Sequence, residues 1–428
     1  MANLTLIAVR RLPPQRGFLV AAGLAEALAF LEGFDFAEED LGYLRDVGFD
    51  QSTLEAFARL RFTGDVWAVP EGRVVFADEP LLEVTAPIAE AQLVETGVLN
   101  LITFHTTVAT KPARCRLAAG HAQVIDFAFR RTHGIDAGAA VARASAIAGL
   151  AATSHVEAAR RYGLRPSGTM AHSYVEAFPD ERTAFRAFAT DFPTNAAFLV
   201  DTHDTPAGVR AAVDVIPELG LTGPVGARLD SGDLATLAVQ ARAISTAPGC
   251  PRPRSWRAAA STRTSSPRSW PRGRRSTRTA SAPAWASRTT RRPWTARTRW
   301  WRSATDRCSS CRPARPPCPG PKQVFRDPGG DSGDVVGLRD EPPPGDRPPL
   351  LAPVMRDGRR VGPAAPPGEV RERHRFDADL AWLPEAARRL ADPTPLTATV
   401  SPALTALHRW IAERMAPTST GAVRRNGR

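Results

Sequence analysis

No run of 18 or more apolar residues occurs in the 428-residue chain, which excludes a membrane-spanning helix. The stretch Phe18–Phe36 comes nearest to a signal-peptide core. Glu26 and Glu32 interrupt it, however, and its apolar spacing is that of an amphipathic helix. Cysteine is scarce: of five, only Cys115 lies outside residues 245–318, so no disulfide framework is available and a cytoplasmic protein is expected. The sharpest absence is local. Between Ser245 and Cys318 there is no Leu, Ile, Val, Phe, Met or Lys in 74 residues. Those apolar types fill protein interiors, so no core element can be built from that window.

The window holds instead 18 Arg, six of the nine Trp, four Cys and one acid, Asp306. Its local charge of +17 exceeds the +12 of the whole chain and leaves −5 for everything else. A pI of about 10.6 would ordinarily suggest nucleic acid or an anionic surface as partner. Outside the window the protein is mildly acidic and ordinary in composition, long enough for two or three domains.

Gly17–Phe34 and Leu54–Leu60 read as helices. Gly64–Pro87 alternates apolar and polar residues between Gly and Pro breaks, as a small antiparallel sheet does. Ala89–Thr110 returns to helical spacing. From Val124 the rhythm becomes strand then helix: strands at Val124–Phe129, Ala197–Val200 and Val225–Leu229, helices at Ala137–Ala152, Val156–Tyr162, Glu181–Ala189, Ala207–Val215 and Leu234–Ile244. Short apolar strands that each close in polar residues before a helix indicate parallel βα units. In a barrel of such units the strand C-termini carry the chemistry. The polar clusters Arg130–His133, Asp201–Asp204 and Arg228–Asp233 stand at those ends.

Asp230 and Asp233 flank a Ser-Gly turn, a spacing that suits a hydrated Mg²⁺ or ribose hydroxyls, and equally the N-cap of the helix that follows. Arg130 and Arg131 offer planar donor forks for carboxylate or phosphate, or make surface ion pairs. His172 sits among hydroxyls in Gly168–Ser173, as nucleophile, general base or plain loop residue. His133, His155 and His203 match no zinc-ligand spacing.

Phe127–Gly134 (FAFRRTHG), Gly168–Tyr174 (GTMAHSY), Phe198–Thr205 (FLVDTHDT), Arg228–Leu234 (RLDSGDL) and Pro319–Arg326 (PGPKQVFR) together resemble the nicotinate phosphoribosyltransferase family, in the family's order. The resemblance runs from about Val9 to about Ile244 and again from about Pro319. It implies an irregular TIM-like α/β barrel of the type II phosphoribosyltransferases beside a smaller α+β domain. It also implies condensation of nicotinate with phosphoribosyl pyrophosphate to nicotinate mononucleotide and pyrophosphate, the first step of NAD salvage from nicotinate. ATP is then a co-substrate, acting through a phosphorylated His172. Thr169 and Arg228 would contact nicotinate, with Ser173 nearby, and Arg130 and Arg131 would help form the anion pocket. Asp230 and Asp233 would lie by the ribose and a Mg²⁺ brought by phosphoribosyl pyrophosphate. The family works as a homodimer with shared sites.

Two features depart from the family. The Thr-Asp-Leu-Tyr-x-Leu segment with which members begin is missing before Val9. The Arg-rich window stands where members have two phosphate-binding strand ends, ASGGLDE and GVGT. Three readings of the window compete: an arginine-rich nucleic-acid-binding insert, a zinc knuckle at Cys308-x-x-Cys311, for which no second pair exists, or a wrong reading frame of a GC-rich gene. The genetic code tests the third. With the frame moved back one nucleotide, Ala after Trp hides GGC (Gly), Trp after Trp hides GTG (Val), and CGN-coded Arg after Trp hides GCG (Ala). Trp256–Thr262 then accommodates V-A-S-G-G-L-D, Ala280–Ser287 accommodates G-V-G-T-S-L-G-V, and Thr298–Trp301 accommodates Y-K-L-V. These are the missing elements in order.

The expected organisation is therefore an α+β domain over 1–115, the first part of the barrel over 116–244, an out-of-frame and disordered segment over 245–318, and a C-terminal segment over 319–428. That last segment returns to the smaller domain through Pro-rich loops and ends in a helix around Ala403–Met415. The barrel is expected to be incomplete and the polypeptide as read to be inactive or insoluble, with Pro283 in place of the phosphate-binding Thr of GVGT. Two alternatives carry different chemistry: a nicotinamide or quinolinate phosphoribosyltransferase, or an arginine-rich nucleic-acid-binding protein whose steep salt dependence would vanish on deletion of 245–318. Nucleic acid is not the expected partner.

Overall fold

The computed structural model describes residues 2–9, 12, 16–194, 196–247, 256–262, 278–281, 296–297, 300–301, 320–329, 333–361 and 369–415. An antiparallel sheet contains β1 (Ala2–Val9), β3 (Asp65–Ala68), β5 (Pro80–Pro87), β12 (Ala296–Arg297), β13 (Trp300–Trp301), β16 (Ala352–Arg356) and β17 (Arg359–Arg360). Its order is β12–β1–β5–β3–β16–β17, with β13 also on β1. A two-stranded ladder joins β2 (Leu19–Val20) to β4 (Val74–Val75). Helices α1 (Leu24–Glu32), α2 (Glu38–Asp46), α3 (Gln51–Arg59) and α4 (Ile88–Ala119) complete this half.

Helix α4 buries Ala91, Val94, Val98, Ile102 and Ala109, a stripe three, four and seven residues apart that faces the antiparallel sheet and α1. On the same helix the hydroxyls of Thr106 and Thr110 accept from the backbone N–H groups of Ala22 and Val20. Those two bonds fix β2 against α4. They also explain why the helix expected from Gly17 starts only at Leu24: the preceding residues are committed to a ladder. Helix α2 gave no sequence signal because it is an acidic surface element that buries Leu41 alone.

The second half is a parallel sheet of β6 (Gln123–Asp126), β7 (Ala152–Thr153), β8 (Ala197–Leu199), β9 (Val225–Leu229), β10 (Trp256–Thr262) and β11 (Arg278–Ser281), in the order β7–β6–β11–β10–β9–β8. Around it lie α5 (Ile135–Ile147), α6 (Val156–Tyr162), α7 (His172–Glu176), α8 (Glu181–Asp191), α9 (Thr205–Glu218) and α10 (Leu234–Ser245). Asp180, Asp204 and Asp233 cap α8, α9 and α10 with their side chains, which sets where each strand-to-helix loop ends. Phe185, Phe198, Leu199, Val209, Val213, Val225 and Leu229 form the core between β8, β9 and their helices. Among the described residues no ladder joins β7 to β8, so the sheet is open there. Of 245–318, the structure describes 245–247 and the four short strands β10 to β13. The remainder of that expected disordered segment, including Pro283, Cys308 and Cys311, lies outside the described residues.

The C-terminal segment contains more than the expected loops and final helix. It supplies β14 (Lys322–Phe325), β15 (Val335–Leu338), β18 (Thr399–Val400), α11 (Glu369–Trp382), α12 (Glu385–Arg388) and α13 (Pro402–Met415), besides β16, which pairs with β3. Arg326 enters the protein interior from β14. Its Nε and Nη2 donate to Asp334 at 3.0 and 2.8 Å, Nη1 donates to Asp379 at 2.9 Å, and Nη2 donates to the Val74 carbonyl at 2.6 Å. Its guanidinium also lies 5.1 Å from the centre of the Trp382 ring. Asp379 in turn accepts from the Val74 N–H and from Arg73.

Beside this cluster, buried Glu79 accepts from the Phe76 N–H at 2.8 Å and stands next to the Asp334 carboxylate. Burial, reinforced by the neighbouring Asp334 carboxylate, pushes the Glu79 carboxyl well above the usual range. The folded state therefore holds a proton that the unfolded chain releases. The stabilisation is complete below the ordinary Glu value and is lost as pH rises through the raised one. Glu79→Gln keeps the acceptor for Phe76 and cannot ionise. Its stability relative to the parent should grow by about 1.4 kcal/mol per pH unit across that window. Thermal melts between pH 4.5 and 8 check this, and a constant difference would refute it.

Candidate active site

In a parallel sheet all strand C-termini point the same way, so the residues that follow β6, β7, β8 and β9 converge on one rim. Burial alternates along β9: Val225, Ala227 and Leu229 pack into the core, and Arg228 takes the other face. Arg228 Nη1 donates to Thr169 Oγ1 at 2.6 Å and to the Met170 carbonyl at 3.3 Å. Its Nη2 lies 3.0 Å from Asp230 Oδ1, and the guanidinium stands 5.8 Å from the centre of the Phe127 ring. Its Nε is buried with no partner among the described residues.

Asp201, the first residue after the β8 loop begins, is buried and accepts three hydrogen bonds at one oxygen. Its Oδ2 takes the N–H of Asp230 at 2.6 Å, the N–H of Ser231 at 2.8 Å and the Ser231 hydroxyl at 2.9 Å. Gly232, with φ of 76°, completes the turn in a conformation that disfavours a Cβ. The other oxygen, Oδ1, is buried without a partner among the described residues. His172 opens α7. Its Nδ1 lies 3.1 Å from Thr202 Oγ1, and its Nε2 lies 3.6 Å from Asp230 Oδ2.

Of the residues singled out in the sequence, Thr169, His172, Arg228 and Asp230 are thus brought together. The others are placed differently. Asp233 is exposed and caps α10: it accepts from the Ala235 N–H at 3.2 Å and from the Thr236 hydroxyl at 2.6 Å. The Thr236 hydrogen bonds hold its carboxyl below the usual range. Ser173 is exposed on α7. Arg130 and Arg131 lie on a 3₁₀ turn, Phe129–Arg131, and form no ion pair among the described residues. His155 is the N-cap of α6, accepting from the Ala158 N–H, and stacks on Phe129 with ring centres 3.8 Å apart.

Sequence reasoning named the Asp201–Asp204 cluster but missed the division of labour inside it: Asp201 grips the next loop, Thr202 meets His172 and Asp204 caps α9. It also missed Asp126, which accepts from the Ala128 N–H and the Thr153 hydroxyl, both at 2.8 Å, and so ties the ends of β6 and β7 together. Burial raises the Asp126 carboxyl above its ordinary value. No local spacing signals Asp126; its partner Thr153 is 27 residues away.

The described residues do not fit a protein-held magnesium ion. Arg228 and His172 already face the two oxygens of Asp230, and Asp233 is committed to its helix. Among the described residues no three His, Cys, Asp or Glu side chains gather at metal-binding distance.

The comparisons with known proteins follow this geometry. The family model described as the nicotinate phosphoribosyltransferase N-terminal domain matches residues 6–103. A nicotinate phosphoribosyltransferase of Mycobacterium tuberculosis is 51% identical over 236 residues, 55% of this chain and 51% of that protein. One of Bacillus subtilis is 43% identical over 236 residues, 54% of this chain and 48% of its own length. The chain therefore spans about half the length of the curated relatives it matches. In fold, the crystal structure of human nicotinic acid phosphoribosyltransferase superposes with a TM-score of 0.79 over 96% of this chain and 95% of that one, at 24% identity. Nicotinate-nucleotide pyrophosphorylase of Pyrococcus furiosus gives 0.66 over 89% and 90%, at 19% identity. No helix among the described residues is long and apolar enough to cross a membrane. Over about half of its length the chain is thus similar in sequence to nicotinate phosphoribosyltransferases, and it shares the fold of the human and Pyrococcus furiosus structures.

Proposed function

We propose that this site transfers a phosphoribosyl group to nicotinate, and that residues 245–318 are translated one nucleotide out of frame, so that the polypeptide as read is inactive. The observation that carries the first part is Arg228. Its guanidinium is held by Thr169, Met170 and Asp230 and stands near an aromatic ring, Phe127. A planar cation beside an aromatic face is what a pyridine carboxylate needs: charge at one end and stacking along the ring.

In the reaction, the ring nitrogen of nicotinate forms a bond to C1 of the ribose. The bond from C1 to the pyrophosphate oxygen breaks, and pyrophosphate leaves with the electron pair. Arg228 binds and orients the carboxylate, and the Thr169 hydroxyl fixes the guanidinium plane. His172 is the group that ATP phosphorylates, with Asp230 facing its Nε2. A magnesium ion brought by phosphoribosyl pyrophosphate would supply charge stabilisation to the departing pyrophosphate, and Arg130 and Arg131 would meet the polyphosphate. The working assembly is a homodimer in the cytoplasm.

The frame reading draws support from where the strands fall. Strands β10 (Trp256–Thr262) and β11 (Arg278–Ser281) pair in parallel between β9 and β6. The first coincides with the hidden V-A-S-G-G-L-D, and the second ends as the hidden G-V-G-T begins.

Sequencing the locus across codons 240–320 decides the frame: an intact open frame as given would refute it, as would normal nicotinate mononucleotide synthesis by the purified chain as read. With the frame restored, the enzyme should form nicotinate mononucleotide and prefer nicotinate to nicotinamide and quinolinate; preference for quinolinate would overturn the assignment. In that enzyme Arg228→Ala should raise KM for nicotinate roughly 30- to 150-fold, from the loss of about 2–3 kcal/mol of charge-assisted bonding. Asp201→Ala leaves two N–H groups and a hydroxyl without their acceptor. It should cost about 2–3 kcal/mol in urea denaturation, and a loss below 0.5 kcal/mol would show that the turn holds itself.

A further inference from the structure

We infer that Thr202 is a positioning residue for His172, its hydroxyl allowing the imidazole proton to sit on either ring nitrogen without the ring moving. The inference rests on the proposed phosphoryl transfer through His172. Asp201 and Thr202 follow β8, and Asp230 follows β9, so the ring of His172 is flanked by side chains from two neighbouring strands. Nε2 faces the Asp230 carboxylate at 3.6 Å and Nδ1 faces the Thr202 hydroxyl at 3.1 Å.

A carboxylate only accepts hydrogen bonds, whereas a hydroxyl both donates and accepts. With the proton on Nε2, the ring points it at Asp230 and Nδ1 accepts from the Thr202 O–H. With the proton on Nδ1, the ring donates to Thr202 Oγ1 and the Nε2 lone pair is free. Asp230 alone would hold the ring in the first arrangement, in which Nε2 is not nucleophilic. Thr202 makes the second arrangement available at the cost of one hydroxyl rotation.

The chemical step requires that second arrangement. The Nε2 lone pair forms a bond to the γ-phosphorus of ATP, the bond between that phosphorus and the bridging oxygen breaks, and ADP departs with the electron pair. The phosphorylated ring keeps its proton on Nδ1, donated to Thr202. Thr202 touches neither substrate nor phosphorus in this scheme; it acts through the ring.

The test compares the full chain with Thr202→Val, which is nearly isosteric and lacks the hydroxyl, and Thr202→Ser, which keeps it. Histidine is labelled with nitrogen-15, and the His172 ring signals are assigned by subtraction with His172→Gln. The parent should show Nδ1 and Nε2 shifts averaged between the two tautomers. Thr202→Val should move them to the Nε2-protonated limit, and Thr202→Ser should return them to the parent values. Unchanged shifts in Thr202→Val overturn the inference, as does a Ser variant that behaves like Val. Melting curves matched to the parent confirm that each variant is folded; should Thr202→Val unfold, Thr202→Ala is measured in its place. Incubation with ATP then gives a second reading in the frame-restored enzyme: acid-labile phosphate on His172 should form about tenfold more slowly in Thr202→Val and within threefold of the parent in Thr202→Ser. If the restored enzyme itself takes no phosphate, the phosphohistidine reading fails while the nitrogen shifts still judge Thr202.

Discussion

One carboxylate oxygen organises the candidate site. Asp201 Oδ2 receives two backbone N–H groups and a hydroxyl from the loop after β9, and it does so from the end of β8. A carboxylate oxygen that accepts three hydrogen bonds at once is held rigidly in direction. The distance between the two strand ends is thereby fixed. So is everything that hangs on the second loop: the Arg228–Asp230 pair, the approach of Asp230 to His172 and the contact of Arg228 with Thr169. Remove that oxygen and four side chains lose their common reference, although none of them touches Asp201 through its own side-chain atoms. The grip is asymmetric: Oδ2 carries all three bonds, and Oδ1 is buried without a partner among the described residues.

How much of this was legible beforehand depended on range along the chain. The β6, β8 and β9 strands, and helices α5, α6, α8, α9 and α10, are local apolar patterns, the last three opened by Asp caps, and the sequence states them directly, whereas α7 falls in a stretch that reads as a loop. The clustering of polar residues at strand ends is stated as directly. Partnerships across the sheet are not local. Thr169 meets Arg228 across 59 positions and His172 meets Thr202 across 30. No spacing rule relates such pairs; only the strand order brings them together. The Asp230–Asp233 pair was legible but ambiguous, because a carboxylate that caps a helix and one that serves a ligand look alike in sequence, and the structure gives the two residues separate tasks. The short strands of the C-terminal segment were hidden for another reason. Strands such as β16 and β18 are half exposed and lie between Pro-rich stretches, so their alternation is too brief to stand out.

The Arg-rich window separates what the backbone contributes from what the side chains contribute. Ladder hydrogen bonds are made by the main chain, which is the same for every residue except proline. Strands β10 and β11 can therefore occupy the gap between β9 and β6 with register Ala259 to Arg228 and Ala280 to Ile125. A barrel interior, by contrast, is filled by branched apolar side chains in layers, and residues 256–281 contain none. The ladder alone therefore places β10 and β11 between β9 and β6, and their sequence offers no branched apolar side chain to such layers.

Buried charge ties the chain after the Arg-rich window to the chain before it. An ion taken out of water costs several kcal/mol and is tolerated only with its partners in place. Arg326, 4% exposed, finds Asp334 on its own segment and Asp379 on α11, but it also donates to the carbonyl of Val74, 252 positions earlier. Arg339 pairs likewise with Glu83 and lies over Trp67, and the Lys322 N–H donates to Glu83 as well. Of these contacts, Arg326 to the Val74 carbonyl, Arg339 to Glu83 and Trp67, and Lys322 to Glu83 join residues after the window to the first 90, and the Arg339–Glu83 pair would leave a buried charge unpaired if either side were lost. Two separate buried networks, one around Arg326 and one around Glu83, therefore join residues before position 245 to residues from Gly320 onward in one folding unit.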